Sequence, residues 1–271
     1  MNDCQWQLPI YERLDLGPRR CKYALLVPVI NEGERIRKQL VKMEPYSELV
    51  DIFIVDGGST DGSLKQQYLC TYKVRSLLIK IGPGKLSAQI RIGLACAMAD
   101  GYEGAILIDG NNKDNPDAIP HFIQALEEGV DHVQGSRFIP GGKAVNTPFF
   151  RLLGIKLLHA PLISMSAGFR YTDTTNGFRA YSRQFLLDRR VAPFRDVFSA
   201  YELHYYLAIR AACLGFKVKE VPVERSYPSG KIPTKIKGFK GNIHILKSLV
   251  QACLHKFDPL PENPGKGRQN G

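Results

Sequence analysis

Residues able to do chemistry gather in four short polar runs: Asn31-Glu32, Asp56 to Asp61, Lys85, and Asp109-Gly110-Asn111. Each lies at or just past the end of an apolar run of the kind that forms a buried strand. The last is the most telling. Ala105-Ile106-Leu107-Ile108 stops at a carboxylate, a flexible residue and a carboxamide, and Asp114, Pro116 and Asp117 follow. In open α/β sheets ligands bind beyond the carboxyl ends of the strands, so groups in these loops should converge on one edge. Carboxylates on the floor of such a cleft can hold a divalent cation and hydrogen-bond a ribose or base, while basic side chains take phosphates. That set suits a sugar nucleotide. Each run also reads as an ordinary turn rich in Asn, Asp, Ser and Gly. Neither a P-loop nor a G-x-G-x-x-G fingerprint is present.

The elements that must position these groups follow from the apolar pattern. Strands are expected at Tyr23 to Val29, Asp51 to Val55, Val74 to Ile81 and Ala105 to Ile108. A helix with Ile36, Leu40 and Met43 on one face follows the first strand, and another, Ser87 to Ala99, follows the third. Strand and helix in alternation argue for a mostly parallel sheet flanked by crossover helices, an α/β fold. Beyond it come strands at Asp131 to Ser136, Phe178 to Tyr181 and Val218 to Val223, and helices at Phe149 to Met165, Ala200 to Leu214 and Ile243 to Leu254. The expected organisation is an extension over residues 1–21, one domain over 22–257, and a flexible Pro- and Gly-rich tail over 258–271. In the extension, Trp6, Leu8, Ile10 and Tyr11 are placed to dock on the body.

Composition bounds the partners. The net charge of +11 points to an anionic partner: nucleotide, lipid phosphate or phospholipid surface. Nucleic-acid binding has only that charge behind it and no motif, and a solubility role would explain the charge equally well. The six cysteines are scattered without a C-x-x-C pair, which fits free thiols in a reducing compartment. No signal-peptide pattern opens the chain, and no uninterrupted apolar run reaches the ~18–20 residues of a membrane span. A cytoplasmic protein, soluble or peripheral on the cytoplasmic face of a membrane, is expected.

The blocks VPVINE (Val27 to Glu32), VDGGSTDGS (Val55 to Ser63), LIDGNNKDNPDAIP (Leu107 to Pro120), GSRFIPGG (Gly135 to Gly142) and DTTNGFRAYSR (Asp173 to Arg183) resemble the signature blocks of inverting family-two glycosyltransferases. The nearest likeness is to the dolichol-phosphate mannose synthase branch, over roughly residues 22 to 225. The resemblance implies a GT-A (Rossmann-like) fold in a single domain, a nucleotide-sugar donor, and a polyprenyl phosphate acceptor such as undecaprenyl or dolichyl phosphate. By position it implies that Pro28, Ile30 and Glu32 line the base and ribose site, with Val55 and Asp56-Gly57 facing the base. Asp109, Gly110 and Asn111 stand where the family has its Asp-x-Asp, which holds Mg²⁺ or Mn²⁺ and the donor diphosphate. Arg137 falls near the phosphates or acceptor, Asp173 and Arg179 on the sugar and acceptor side, and Lys231 on a loop that closes over the diphosphate.

Three positions depart from the family. Gly57 replaces a second aspartate, Asn111 replaces the second acid of Asp-x-Asp, and Lys113 stands where a polar metal-side ligand is common. Asn111 is a poorer ligand for a divalent ion than a carboxylate. Lys113 would either stand in for part of the metal's charge or point to solvent while Asp109 and Asn111 bind the ion. The acceptor also stays open. A hydroxyl acceptor needs a general base, for which Asp173 is the candidate, although a turn-capping role fits it too. A lipid phosphate is already ionised and needs none. Lys217, Lys219, Arg225, Lys231, Lys235, Lys237, Lys240 and Lys247 suit an anionic membrane or lipid phosphate, or a plain solvated face. A membrane-protein partner, a soluble or glycan acceptor, or a degenerate binding subunit are the other readings.

Overall fold

The computed structural model describes residues 6–228 and 238–260, the side chains of 238–242 excepted. In chain order the strands are β1 (Tyr11–Asp15), β2 (Tyr23–Val29), β3 (Val50–Asp56), β4 (Val74–Lys80), β5 (Gly104–Leu107), β6 (His132–Ser136), β7 (Lys143–Val145), β8 (Arg179–Ser182), β9 (Val218–Pro222) and β10 (Glu224–Ser226). The helices are α1 (Glu34–Met43), α2 (Gln66–Thr71), α3 (Leu86–Ala99), α4 (Ile119–Glu127), α5 (Phe149–Gly154), α6 (Ala160–Ala167), α7 (Arg183–Leu187), α8 (Glu202–Cys213) and α9 (Gly238–Cys253). A π-helical segment, Ile155–His159, joins α5 to α6.

Eight strands form one sheet in the order β1-β4-β3-β2-β5-β8-β6-β9. It is the expected mostly parallel sheet flanked by helices. Only β1 and β8 run against the rest. Alternation along β2 sorts its side chains between two cores. Leu25 and Val27 meet α1 and α4 through Ile36, Leu40 and Phe122, whereas Ala24 and Leu26 meet α3, α7 and α8. A third apolar cluster, with Ile163, Tyr205, Ile209 and Leu249, ties α6, α8 and α9 together.

Part of the N-terminal segment enters the sheet as β1, paired antiparallel with β4 from Tyr11↔Lys80 to Asp15↔Ser76. Trp6, Leu8 and Tyr11 pack on the core, and Ile10 stays exposed. Its alternation is too polar to announce a strand, because an edge strand needs only one covered face. The helix expected at Phe149 to Met165 runs through the π segment to Ala167. This corrects the reading that nothing here is long enough to cross a bilayer: Phe149–Ala167 has 19 residues and a mean hydropathy of 1.2 and is 17% buried, sufficient by length and composition alone. Arg151 and Lys156 interrupt the apolar run in the sequence but not the helix. Lys231 and the basic run through Lys237 lie outside the described residues.

Candidate active site

The site forms where β2, β3 and β5 end side by side. Val29 is level with Asp56, and Leu26 with Leu107. Past the strands, the Gly57 amide donates to the Val29 carbonyl at 2.8 Å and the Gly110 amide to the Pro28 carbonyl at 3.3 Å. The loops carrying Glu32, Asp56 and Asp109 therefore leave from one rim. Pro28, Val55, Asp56, Gly57 and Gly110 sit on it, Val55 and Asp56 buried and Ile30 exposed. Lys85 stands exposed at the start of α3, its amide on the Ser199 carbonyl. Two surface hollows, at Trp6–Leu187 and along Ile243–Leu254, lie away from this rim.

Two of these loops are stitched to each other. Asp56 accepts from the Ser59 amide and hydroxyl, at 2.9 and 2.6 Å. The Thr60 amide donates to Asn31 Oδ1, and the Gly33 amide to Asp61 Oδ2. Glu32 pairs with Arg35 at 2.7 Å. Gln89 packs closely against Gly57. A Cβ there would stand 3.0 Å from Gln89 Nε2, and that nitrogen donates to both the Val29 and Val55 carbonyls at 2.9 Å. A buried amide that ties two strand ends occupies the space a second aspartate would need.

Asp109 is part-exposed at the rim, its side chain 25% exposed. Gly177 makes room for it, since a Cβ there would stand 2.6 Å from Asp109 Oδ1. Its Oδ2 accepts from Arg225 Nη2 at 2.9 Å and faces Asn111 Nδ2 at 3.3 Å. Arg225 Nη1 donates to Asp114, which is fully buried. Burial works to raise the Asp109 carboxyl, but the Arg225 guanidinium outweighs it and holds the group below the usual carboxylate range. Burial lifts Asp114 to about 6 in spite of the same guanidinium, with the Asp109 charge adding to the rise. Beneath them His204 is pushed down to about 3 by burial and by Arg179, against the pull of Asp109, so it stays neutral.

Further cations surround this pair. The Tyr227 ring has Lys113 Nζ 5.2 Å, Arg151 5.3 Å and Arg225 5.7 Å from its centroid, all within cation–π range. Arg151 also donates to the Tyr227 hydroxyl at 3.0 Å. Burial alone would raise that phenol; Arg225 and Arg151 bring it below its ordinary value. Burial and Arg225 push the Lys113 ammonium down. Sequence reasoning missed this hub. Val221, Val223, Arg225 and Tyr227 are all buried at a period of two, so the available signal was a cation on the inward face of a strand.

Arg137, Asp173 and Arg179 hold the wall beside the hub. Arg137 grips both oxygens of Asp173, at 2.6 and 2.9 Å, and bonds Thr175 at 2.9 Å. Asp173 is fully buried and accepts from the Thr175 amide at 3.2 Å, a contact of the turn-capping kind. Arg179, 1% exposed, spends its donors on the carbonyls of Asn176, His204 and Thr174 and shapes the 173–178 turn.

The expected divalent ion would draw on Asp109 and Asn111. The donor set does not fit it as arranged. One Asp109 oxygen carries the Arg225 guanidinium, and the Asn111 carbonyl accepts from the Lys113 amide at 3.2 Å. Among the described residues no three His, Cys, Asp or Glu side chains gather as a metal set.

Comparison with known proteins gives the family and the fold. The sequence profile of glycosyl transferase family 2 matches residues 24–189. The chain is 27% identical over 202 residues to the polyprenol monophosphomannose synthase of Mycolicibacterium smegmatis, covering 73% of this chain and 75% of that one. It is 27% identical over 218 residues to the undecaprenyl-phosphate mannosyltransferase of Micrococcus luteus, covering 79% and 88%. Among solved structures it superposes on glucosyl-3-phosphoglycerate synthase of Mycobacterium tuberculosis, in complex with Mn²⁺, UDP and phosphoglyceric acid, with a TM-score of 0.60 at 18% identity over 86% of this chain and 78% of that one. The likeness to that structure is one of fold. With the profile spanning more than half of its length, the chain belongs to glycosyl transferase family 2 and is a glycosyltransferase of GT-A fold.

Proposed function

We propose that the protein transfers a sugar, with inversion, from a nucleotide-sugar donor to a polyprenyl phosphate at a membrane surface. One observation carries the reading. Arg151 bonds Tyr227 in the cation hub, and it belongs to α5, where Phe149 is 69% and Phe150 83% exposed. The helical stretch continues with exposed Leu157 and Met165, and α9 adds exposed Ile243, Leu246 and Val250, with exposed Leu254 just past its end. A phosphate bearing a long apolar tail matches both surfaces at once: head on the cations, tail against the helix. The two relatives named for polyprenol and undecaprenyl phosphate support the same acceptor class.

The chemistry assigned to the rim is positioning and charge stabilisation. The base and ribose would lie on the ends of β2 and β3, at Pro28, Ile30, Glu32, Val55 and Asp56. The donor diphosphate would lie at Asp109 to Lys113, with Arg225 beside it. The lipid phosphate would approach from α5, near Arg151. An ionised phosphate oxygen attacks the anomeric carbon from the face opposite the leaving diphosphate. It needs no general base, which agrees with Asp173 being sealed on Arg137. The finer metal assignment, Mg²⁺ or Mn²⁺ on Asp109 and Asn111, has the Mn²⁺–UDP complex of the solved neighbour in its favour and the Arg225 contact against it. A membrane-protein partner would dock on the same apolar face, and flotation of the isolated chain on vesicles separates that case from direct lipid contact.

The test is incubation of the purified protein with radiolabelled UDP-, GDP- and CDP-sugars and undecaprenyl or dolichyl phosphate. Label from one donor should enter the organic phase. Release of free sugar alone, or transfer only to water-soluble acceptors, would contradict the reading.

A further inference from the structure

We propose that Arg225, backed by Lys113, is the resident cation of the donor site, so that the nucleoside diphosphate is gripped without a divalent metal. The inference rests on the nucleotide-sugar reading above and concerns what neutralises the leaving group.

Arg225 is placed by backbone, not by a chance rotamer. β10 runs parallel to β7, with Arg225 level with Ala144. On its other side the Ser226 amide donates to the Lys113 carbonyl at 2.7 Å and the Asn115 amide to the Glu224 carbonyl at 3.0 Å. This bridge between Asp114 and Arg225 locks the 111–115 loop to β10. The guanidinium then spans two acids from a side chain only 9% exposed: Asp114, fully buried, anchors one nitrogen, and Asp109, 25% exposed at the rim, takes the other. A divalent ion bound at Asp109 would have to share an oxygen with this cation, next to Lys113, on a site where Asn111 brings no charge. Each of these features weakens a metal and strengthens an anion site.

A planar guanidinium with fixed donors suits a diphosphate, and a fixed cation needs no reorganisation as charge develops. In the step proposed, the bond from the anomeric carbon to the β-phosphate oxygen breaks as the bond to the acceptor phosphate oxygen forms. The electron pair leaves with the nucleoside diphosphate, whose added negative charge meets Arg225 and Lys113. No proton moves and no redox partner is required. Arg225 is assigned to the leaving diphosphate, and Asp109 and Asp114 orient it.

The decisive experiment is calorimetry of UDP, GDP and CDP against the metal-stripped full chain, in excess EDTA and then with Mn²⁺ or Mg²⁺. One nucleotide should bind in EDTA with an affinity that changes less than about threefold on adding metal. Arg225→Gln should weaken that diphosphate by about ten- to a hundredfold, the range of a charged hydrogen bond, and the parent nucleoside hardly at all. Because Arg225→Gln leaves two buried acids unpaired and can unfold the chain, Lys113→Gln gives a milder version with the same nucleoside control. Binding that vanishes in EDTA and returns with Mn²⁺ overturns this inference and leaves the nucleotide-sugar reading standing. Failure of every nucleotide under both conditions overturns both.

Discussion

Asp173 and Arg137 pose the sharpest question at the scale of single residues, since both carry charge and neither reaches solvent. Breaking a buried pair leaves one charge uncompensated, which costs about 3–5 kcal/mol. Arg137→Ala should therefore lower the unfolding free energy by that amount, and the urea midpoint with it, whereas a lost catalytic contact alone would leave both in place. Gly177→Ala acts on Asp109 directly, because its new Cβ would press on Oδ1 at 2.6 Å. It should reduce nucleotide binding about tenfold or more while retaining the folded far-UV spectrum. Unchanged nucleotide affinity would remove Asp109 from the donor site. At this scale the sequence showed the acids well: Asp56 and Asp109 are legible because each ends an apolar run. Arg225 was read only as part of a basic stretch. Its partner Asp109 lies 116 residues away, and no local pattern announces a contact of that length. The Gly57 substitution was visible as a departure, but its close neighbour Gln89 appears only when α3 packs across the ends of β2 and β3.

Elements were legible where periodicity is strong. The bounds read for β2, Tyr23 to Val29, agree with the structure, and β3, β4 and β9 differ from it by a residue or so. Strands buried on both faces announce themselves by continuous apolar runs. The polar edge strand β1, the three-residue β7 and β10, and the antiparallel insertion of β8 between β5 and β6 depend on distant pairing and carry no such signal. The element with most consequence for function is Phe149–Ala167. Phe149→Glu with Phe150→Glu changes two exposed side chains, so thermal stability should hold within about 0.5 kcal/mol. Binding to vesicles rich in anionic lipid should drop severalfold in a flotation assay, and transfer to polyprenyl phosphate should fall with it. Retained flotation would mean that the helix does not meet the lipid.

Over the whole molecule, burial of histidines sets the acid limit of stability. Burial pushes His132, His159 and His204 below their ordinary value, with the Arg179 charge adding to the effect on His132 and His204. Below about 6.5 the unfolded chain binds protons that the folded chain refuses, so stability rises with pH through this window and is lost as pH falls. Asp114 acts in the opposite sense. Raised to about 6, it holds a proton in the fold that the unfolded chain has released, which favours the fold toward lower pH. Glu220, lifted by burial, acts with Asp114; the three histidines outnumber these two carboxyls and leave the net slope positive, at most about 1.4 kcal/mol per pH unit for each uncompensated histidine. Urea midpoints at pH 7, 6 and 5 should fall in that order, and a flat or rising series would contradict the burial of these rings. The +11 charge adds self-repulsion that grows in the same acid direction.

In the arrangement proposed above, one rim of the sheet would hold the base on β2 and β3 and the diphosphate against Arg225, beside a helix that would face lipid. A crystal structure of the full chain with its best-bound nucleoside diphosphate tests it most directly. The diphosphate should lie within hydrogen-bond reach of the Arg225 guanidinium and the Lys113 ammonium, with the base against Pro28 and Asp56. A nucleotide seated elsewhere, or one whose phosphates leave Arg225 paired only with Asp109 and Asp114, would contradict it.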